Sequence, residues 1–187
     1  MNEDYWQGER VRLRGVEMRD AETFAAWEHD GEAERRLDEI HFPLTIERIQ
    51  AWIATLTAEE PRDDAYHWMI ENRTGQTVGV IFTYTCNRHN GTFRYGVEIG
   101  REHWGQGFAT EAICLILRYY FRELRYQKVT VGVYAFNEGS VKLHEKLGFQ
   151  QEGRMRRMIY SNGEYHDEYI LGMLREEFER LYPEESD

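Results

Sequence analysis

The stretch Tyr95-Gly-Val-Glu-Ile-Gly-Arg-Glu-His-Trp-Gly-Gln-Gly-Phe-Ala-Thr-Glu-Ala112 decides how the rest of the chain is read. Its first half alternates as a strand does: Phe93, Tyr95, Val97 and Ile99 fall on one face and Arg94, Gly96 and Glu98 on the other. A turn carrying Gly105 and Gly107 follows, and a helix-forming run opens at once with Phe108, Ala109 and Thr110. The first backbone N–H groups of a helix have no partner within it and lie at the positive end of its dipole. Glycines let such a backbone come close to an anion, so strand, glycine turn and helix start together suit a phosphate or diphosphate.

Two common phosphate motifs are excluded. A P-loop needs Lys-Ser or Lys-Thr after its second glycine, and Phe108-Ala109 stands there. A dinucleotide fingerprint needs Gly or Ala at position 110 and an acidic residue about 20 residues on; Thr110 occupies the first position and residues 128–137 hold no acid.

Outward from this segment the pattern is mixed. Val11–Val16 reads as a strand. Asp20 is placed to cap a helix bearing Phe24 and Trp27, and a charged segment runs through Glu39. Thr45 is the N-cap of a second helix with a stripe of Ile46, Ile49, Trp52, Ile53 and Leu56. Strands are expected over 67–71, 76–85 and 92–100, then a helix to about Leu124 and a strand over 128–134. A helix over 137–147 ends at Gly148, two strands over 150–160 and 165–174 meet at Asn162-Gly163, and a short helix starts at Arg175. The order β-α-α-β-β-β-α-β-α-β-β implies an α/β (mixed α+β) domain over 1–182, with a tail at 183–187.

Composition narrows the function. The chain carries 23 Lys and Arg against 34 Asp and Glu, a net charge of −11, which disfavours nucleic acid and favours a cationic substrate. The first residues lack the basic and apolar regions of a signal peptide, and no apolar run approaches a membrane span, so a cytoplasmic protein is expected. Two cysteines and seven histidines without metal-ligand spacing give no expected metal. Cys114, among Ala112, Ile113, Leu115 and Ile116, is expected as a small buried hydrophobe.

The glycine turn resembles the Gln/Arg-x-x-Gly-x-Gly/Ala motif of the GNAT superfamily, and Trp104–Ala112 is similar to its RimJ/RimL branch of ribosomal-protein N-terminal acetyltransferases. One departure is visible: Glu102 occupies the Gln/Arg position, with Arg101 one residue early. A second motif agrees. Asn137-Glu-Gly-Ser140-Val-Lys-Leu143-His144-Glu-Lys-Leu147-Gly148-Phe149 is similar to the family's Asn-x-x-(Ala/Ser)-x-x-Leu-Tyr-x-x-x-Gly-Phe, with His144 at the Tyr. The resemblance implies a GNAT-like, mostly antiparallel central sheet flanked by helices. It also implies acetyl-coenzyme A as cosubstrate, a primary amine as acceptor and direct transfer without an acyl-enzyme.

On that basis Val97, Ile99, Trp104, Gly105, Gln106, Gly107, Phe108, Ala109, Thr110, Asn137 and Ser140 are expected to bind the coenzyme, the amides near Val97–Ile99 serving also as an oxyanion site. Glu98 is the candidate general base, because an amine must lose its proton before it attacks. His144 is the candidate acid for the leaving thiolate. Trp27, Asp30, Glu32, Tyr165 and Asp167 are candidates for the amine site, since aromatics and carboxylates suit a cation. The acceptor stays open between a protein N-terminus and a polyamine, aminoglycoside or other small amine. A coenzyme-binding sensor without turnover is the alternative of another class. Aromatic residues are plentiful enough for a homodimer surface.

Overall fold

The computed structural model describes residues 4–27, 30–37, 40–58 and 63–183. The expected tail, from Glu184 on, lies outside the described residues. Seven strands form one mixed sheet: β1 (Val11–Gly15), β2 (His67–Asn72), β3 (Thr77–Asn87), β4 (Thr92–Ile99), β5 (Lys128–Tyr134), β6 (Gln150–Ser161) and β7 (Glu164–Leu174). Their spatial order is β1-β2-β3-β4-β5-β7-β6. The pairs β1–β2, β2–β3, β5–β7 and β6–β7 are antiparallel, and β4–β5 is parallel. The helices are α1 (Ala21–Trp27), α2 (Gly31–Leu37), α3 (Ile46–Ala58), α4 (Phe108–Arg118), α5 (Glu138–Leu147) and α6 (Arg175–Leu181). The mixed α/β class and the mostly antiparallel sheet expected from sequence are both present. No helix among the described residues is long and apolar enough to cross a membrane.

The chain divides into two compact units, Met1–Thr83 with Gly96–Leu115, and Tyr84–Tyr95 with Ile116–Asp187. In the first, Val11 and Leu13 are buried and alternate with exposed Arg12, as a strand with one covered face requires. Ile49 and Ile53, one helical turn apart on α3, pack with Val16, Ala21, Met69 and Val80. Phe24, Trp27, Ile46 and Leu56 close this cluster. Thr45 Oγ accepts from the Arg48 N–H at 3.4 Å, the expected cap.

In the second unit Val129, Val131 and Val133 point one face of β5 inward. Phe93 stacks on Tyr120 at 4.3 Å between ring centroids and meets Phe121 and Tyr126 edge-on. Ladder pairing between β4 and β5 covers only Thr92↔Lys128 and Phe93↔Val129 among the described residues. Asn162 and Gly163 both take left-handed backbone, the pairing that closes a two-residue hairpin.

Three expectations are corrected. The charged segment after Trp27 contains a helix, α2, held by Asp30 Oδ1 accepting from the Glu32 and Ala33 N–H groups and by an Arg36–Glu32 ion pair one turn apart. Asp20 does not cap α1. Its carboxylate is 3% exposed, accepts from the Glu17 N–H and forms a two-pronged pair with Arg14 at 2.8 Å on each arm. Cys114 is half-buried rather than buried, because it faces a cleft beside α4.

Candidate active site

The Arg101–His103 turn carries the chain from β4 to Gly105 and Gly107, whose φ angles are +75° and +84°. A side chain would disfavour that left-handed backbone at either position, so the glycines are needed for the turn itself. α4 begins at Phe108. A cleft of about 490 Å³ opens here, lined by Arg10, Gly105, Gln106, Gly107, Thr110, Glu111 and Cys114. Four of the expected coenzyme residues, Gly105, Gln106, Gly107 and Thr110, therefore share one cleft.

Two others face elsewhere. Trp104 Nε1 donates to the Ile99 carbonyl at 2.7 Å, with the Arg36 guanidinium 4.7 Å from its ring centroid. Phe108 lies edge-on to His103. Arg10, Glu111 and Cys114 were not expected in the cleft. Arg10 is 96 residues from Gln106, to whose carbonyl it donates at 3.2 Å, and no local pattern announces such a contact. The cleft joins a helix start, a glycine turn and a guanidinium, a donor set that fits a diphosphate. Glu102 does not occupy this cleft; its side chain lines another.

That other cleft, about 400 Å³, is lined by Glu22, Thr23, Trp27, Asp30, Glu98, Arg101 and Glu102 among others. Glu98, Trp27 and Asp30 thus come together, but the cleft they share is not the one at the glycine turn. Arg101 takes part of its negative charge, pairing with Asp30 at 3.0 Å and with Glu32. Thr77 of β3 also lines this cleft.

On α5, Asn137 Oδ1 accepts from the Ser140 N–H at 3.1 Å, and Gly148 ends the helix with a φ of +95°. His144 is 3% exposed, stacked on Tyr95 at 5.9 Å and edge-on to Phe149 at 5.1 Å. Its Nδ1 lies 2.7 Å from the Ser140 carbonyl oxygen, which can only accept, so Nδ1 carries the proton. Nε2 is then a bare lone pair, buried and without a hydrogen-bond partner among the described residues. Burial pushes the imidazole pKa below its ordinary value, against a smaller upward effect of the Ser140 bond. In this state the neutral ring presents a lone pair rather than a proton at Nε2.

The last hairpin is also partnered. Asp167 accepts from the Arg157 N–H at 2.8 Å and pairs with Arg154; these two contacts, the backbone one first, hold its carboxyl below the usual range. Tyr165 is exposed, with the Arg157 guanidinium 5.0 Å from its ring centroid. The described residues contain no group of three or more side chains that could hold a metal.

The glycine turn that opens α4 thus offers helix-start amides and a guanidinium to one cleft, donors that suit a diphosphate-bearing ligand. The sequence profile of the acetyltransferase (GNAT) domain matches residues 10–150. The chain belongs to the GNAT family and is an acetyl-CoA-dependent N-acetyltransferase. It is 40% identical over 175 residues to the SPbeta prophage-derived uncharacterized N-acetyltransferase YokL of Bacillus subtilis, covering 94% of this chain and 96% of that one. It is 24% identical over 157 residues to the spermidine N(1)-acetyltransferase of Escherichia coli, covering 84% and 82%. The crystal structure of the Vibrio cholerae spermidine N-acetyltransferase in complex with CoA and spermine shares the fold, with a TM-score of 0.81 at 21% identity over 91% of this chain and 99% of that one.

Proposed function

We propose that this enzyme acetylates a primary amine on a small cationic molecule of polyamine type. The carboxylate-lined cleft carries this reading: Glu22, Asp30, Glu98 and Glu102 line one cavity together with Trp27. Only Arg101 opposes them from its lining. An aromatic face and several carboxylates favour an extended cation. The likeness to spermidine acetyltransferases supports the same acceptor class. Trp27, Asp30 and Glu32 bind the acceptor in this account. Tyr165 and Asp167, already engaged with arginines, have a secondary place.

The bound donor supplies the acetyl group as a thioester. The amides of Gly105–Thr110 and the start of α4 hold its diphosphate in this account, and the Val97 and Ile99 amides bear on its carbonyl. Glu98 takes the proton that the ammonium must lose. A cytoplasmic location goes with this reading.

A second reading has one feature in its favour. Trp104–Ala112 resembles the RimJ/RimL branch, which makes a protein N-terminus the alternative acceptor. A thiol-release assay with acetyl-CoA against spermidine, spermine, aminoglycosides and N-terminal peptides decides between them. Turnover with polyamines above that with peptides is expected. A preference for peptides supports the second reading, and tight coenzyme binding without thiol release from any amine would leave a sensor rather than an enzyme.

A further inference from the structure

We infer that Arg10 is the cationic half of the diphosphate site and that Glu111 is the residue that positions it; this rests on the reading that the Gly105–Thr110 turn holds the diphosphate. The inference begins with a gap. The related motif has Gln or Arg three residues before Gly105, where this chain has Glu102, whose carboxylate lines the acidic cleft instead. The protein also carries a net charge of −11, so a polyanion approaching the turn meets a repulsive field unless a local cation offsets it. Among the residues lining the cleft at the turn, Arg10 is the one cation.

The segment that presents Arg10 is built with unusual care. Gly8 N–H donates to the Val11 carbonyl at 2.8 Å, closing a tight turn before β1. The three N–H groups of Glu9, Arg10 and Val11 then converge on the Glu111 carboxylate at 2.8, 2.7 and 2.7 Å. Successive backbone N–H groups curved around one anion form a nest, and here the anion is a side chain from the first turn of α4. The fit is close: a Cβ on Gly8 would stand 2.5 Å from the Glu111 carboxyl carbon. The carboxylate thus fastens residues 9–11 to the helix that begins at the glycine turn.

With its backbone fixed, the Arg10 side chain reaches across to the turn. Nη1 donates to the Gln106 carbonyl, and Nη1, Cδ and Cζ lie 3.7–3.9 Å from where a Cβ on Gly107 would sit. One carbonyl uses one of the five guanidinium N–H donors. The cluster also separates charges: Glu111, which would repel a phosphate if free, is turned onto three amides, while the guanidinium faces the cleft. Arginine suits the task because its planar fork can give two parallel bonds to phosphate oxygens.

Calorimetric titration of the full chain with CoA and with pantetheine, which lacks the phosphates, tests this. Arg10→Ala should weaken CoA binding about tenfold to a hundredfold, the range for a lost charge-assisted bond, and leave pantetheine binding unchanged. Arg10→Lys should recover part of the loss. Glu111→Gln, whose amide presents a donor to amide donors, should weaken CoA severalfold, and Arg10→Ala/Glu111→Gln should be no weaker than Arg10→Ala alone. A merely structural Glu111 would instead give losses that add and that extend to pantetheine, overturning its positioning role. Wild-type preference for CoA over pantetheine that survives Arg10→Ala would overturn the role of Arg10 and leave the glycine cradle standing. No wild-type preference at all would remove the cradle, and both residues with it.

Discussion

Gly107→Ala separates the cost of forming the phosphate turn from the benefit of using it. Gly107 has a φ of +84°, and the atoms nearest an added Cβ would be those of the Arg10 side chain, at 3.7–3.9 Å, which is ordinary contact. The penalty is therefore one of backbone rather than of collision. Left-handed backbone costs an L-residue about 1–2 kcal/mol, and the stiffer unfolded chain returns about 0.4–1 kcal/mol. A net loss of about 1 kcal/mol lowers the melting temperature by about 2–4 °C in a chain of this length. If the turn relaxes to escape the strain, the Phe108 N–H swings away from the cleft and CoA affinity falls about tenfold instead. Gly75→Ala is the control. Its φ is +78° with nothing within 4 Å of the new Cβ, in the β2–β3 hairpin, so it should lose stability alone. Melting curves and CoA titrations on both variants check this. Gly107→Ala with unaltered stability and affinity, or Gly75→Ala with the same loss of CoA affinity, would refute the reasoning.

Other outcomes follow from the same geometry. Asp20→Ala removes both arms of a buried pair and should cost about 3 kcal/mol, or about 6–12 °C of melting temperature. Burial alone would raise the Asp20 carboxyl, but Arg14 and the Glu17 N–H outweigh it and hold it below its ordinary range. The pair's stabilisation is therefore complete above about pH 4 and is lost as pH falls through the lower, folded value; urea titrations in acid should show the variant losing less than wild type there. His144 is held neutral by burial, so folding weakens as pH falls below about 6.5, by up to about 1.4 kcal/mol per pH unit. His67, lowered by burial too, adds a slope of the same sign, and His144→Phe should remove only its own share. Nitrogen-15 spectra should find His144 protonated at Nδ1; a proton on Nε2 would contradict the assignment. Glu98→Gln should cut turnover about a hundredfold or more while the CoA dissociation constant stays put, and an unchanged rate would remove Glu98 as the base.

The parts of the fold legible in the sequence are those with local causes. Val129, Val131 and Val133 alternate, and β5 occupies the expected 128–134. Asn137 and Gly148 bracket α5 because one caps a helix start and the other accepts left-handed backbone at its end. α2 was missed because it buries only Ala33; charge pairs and the Asp30 cap hold it, and hydrophobic periodicity is blind to those. The Gly105–Gly107 turn was legible for the same local reason, whereas Arg10 was not, since the residues it meets lie some 96 positions away. His144 could be located but its chemistry could not: burial and the Ser140 carbonyl, both products of packing, decide which nitrogen holds the proton.

A crystal structure with CoA bound tests the central claim most directly. The diphosphate oxygens should lie within hydrogen-bonding distance, about 2.7–3.2 Å, of N–H groups between Gly105 and Thr110, at the start of α4. A diphosphate resting on side chains elsewhere, with those amides facing water, would contradict it.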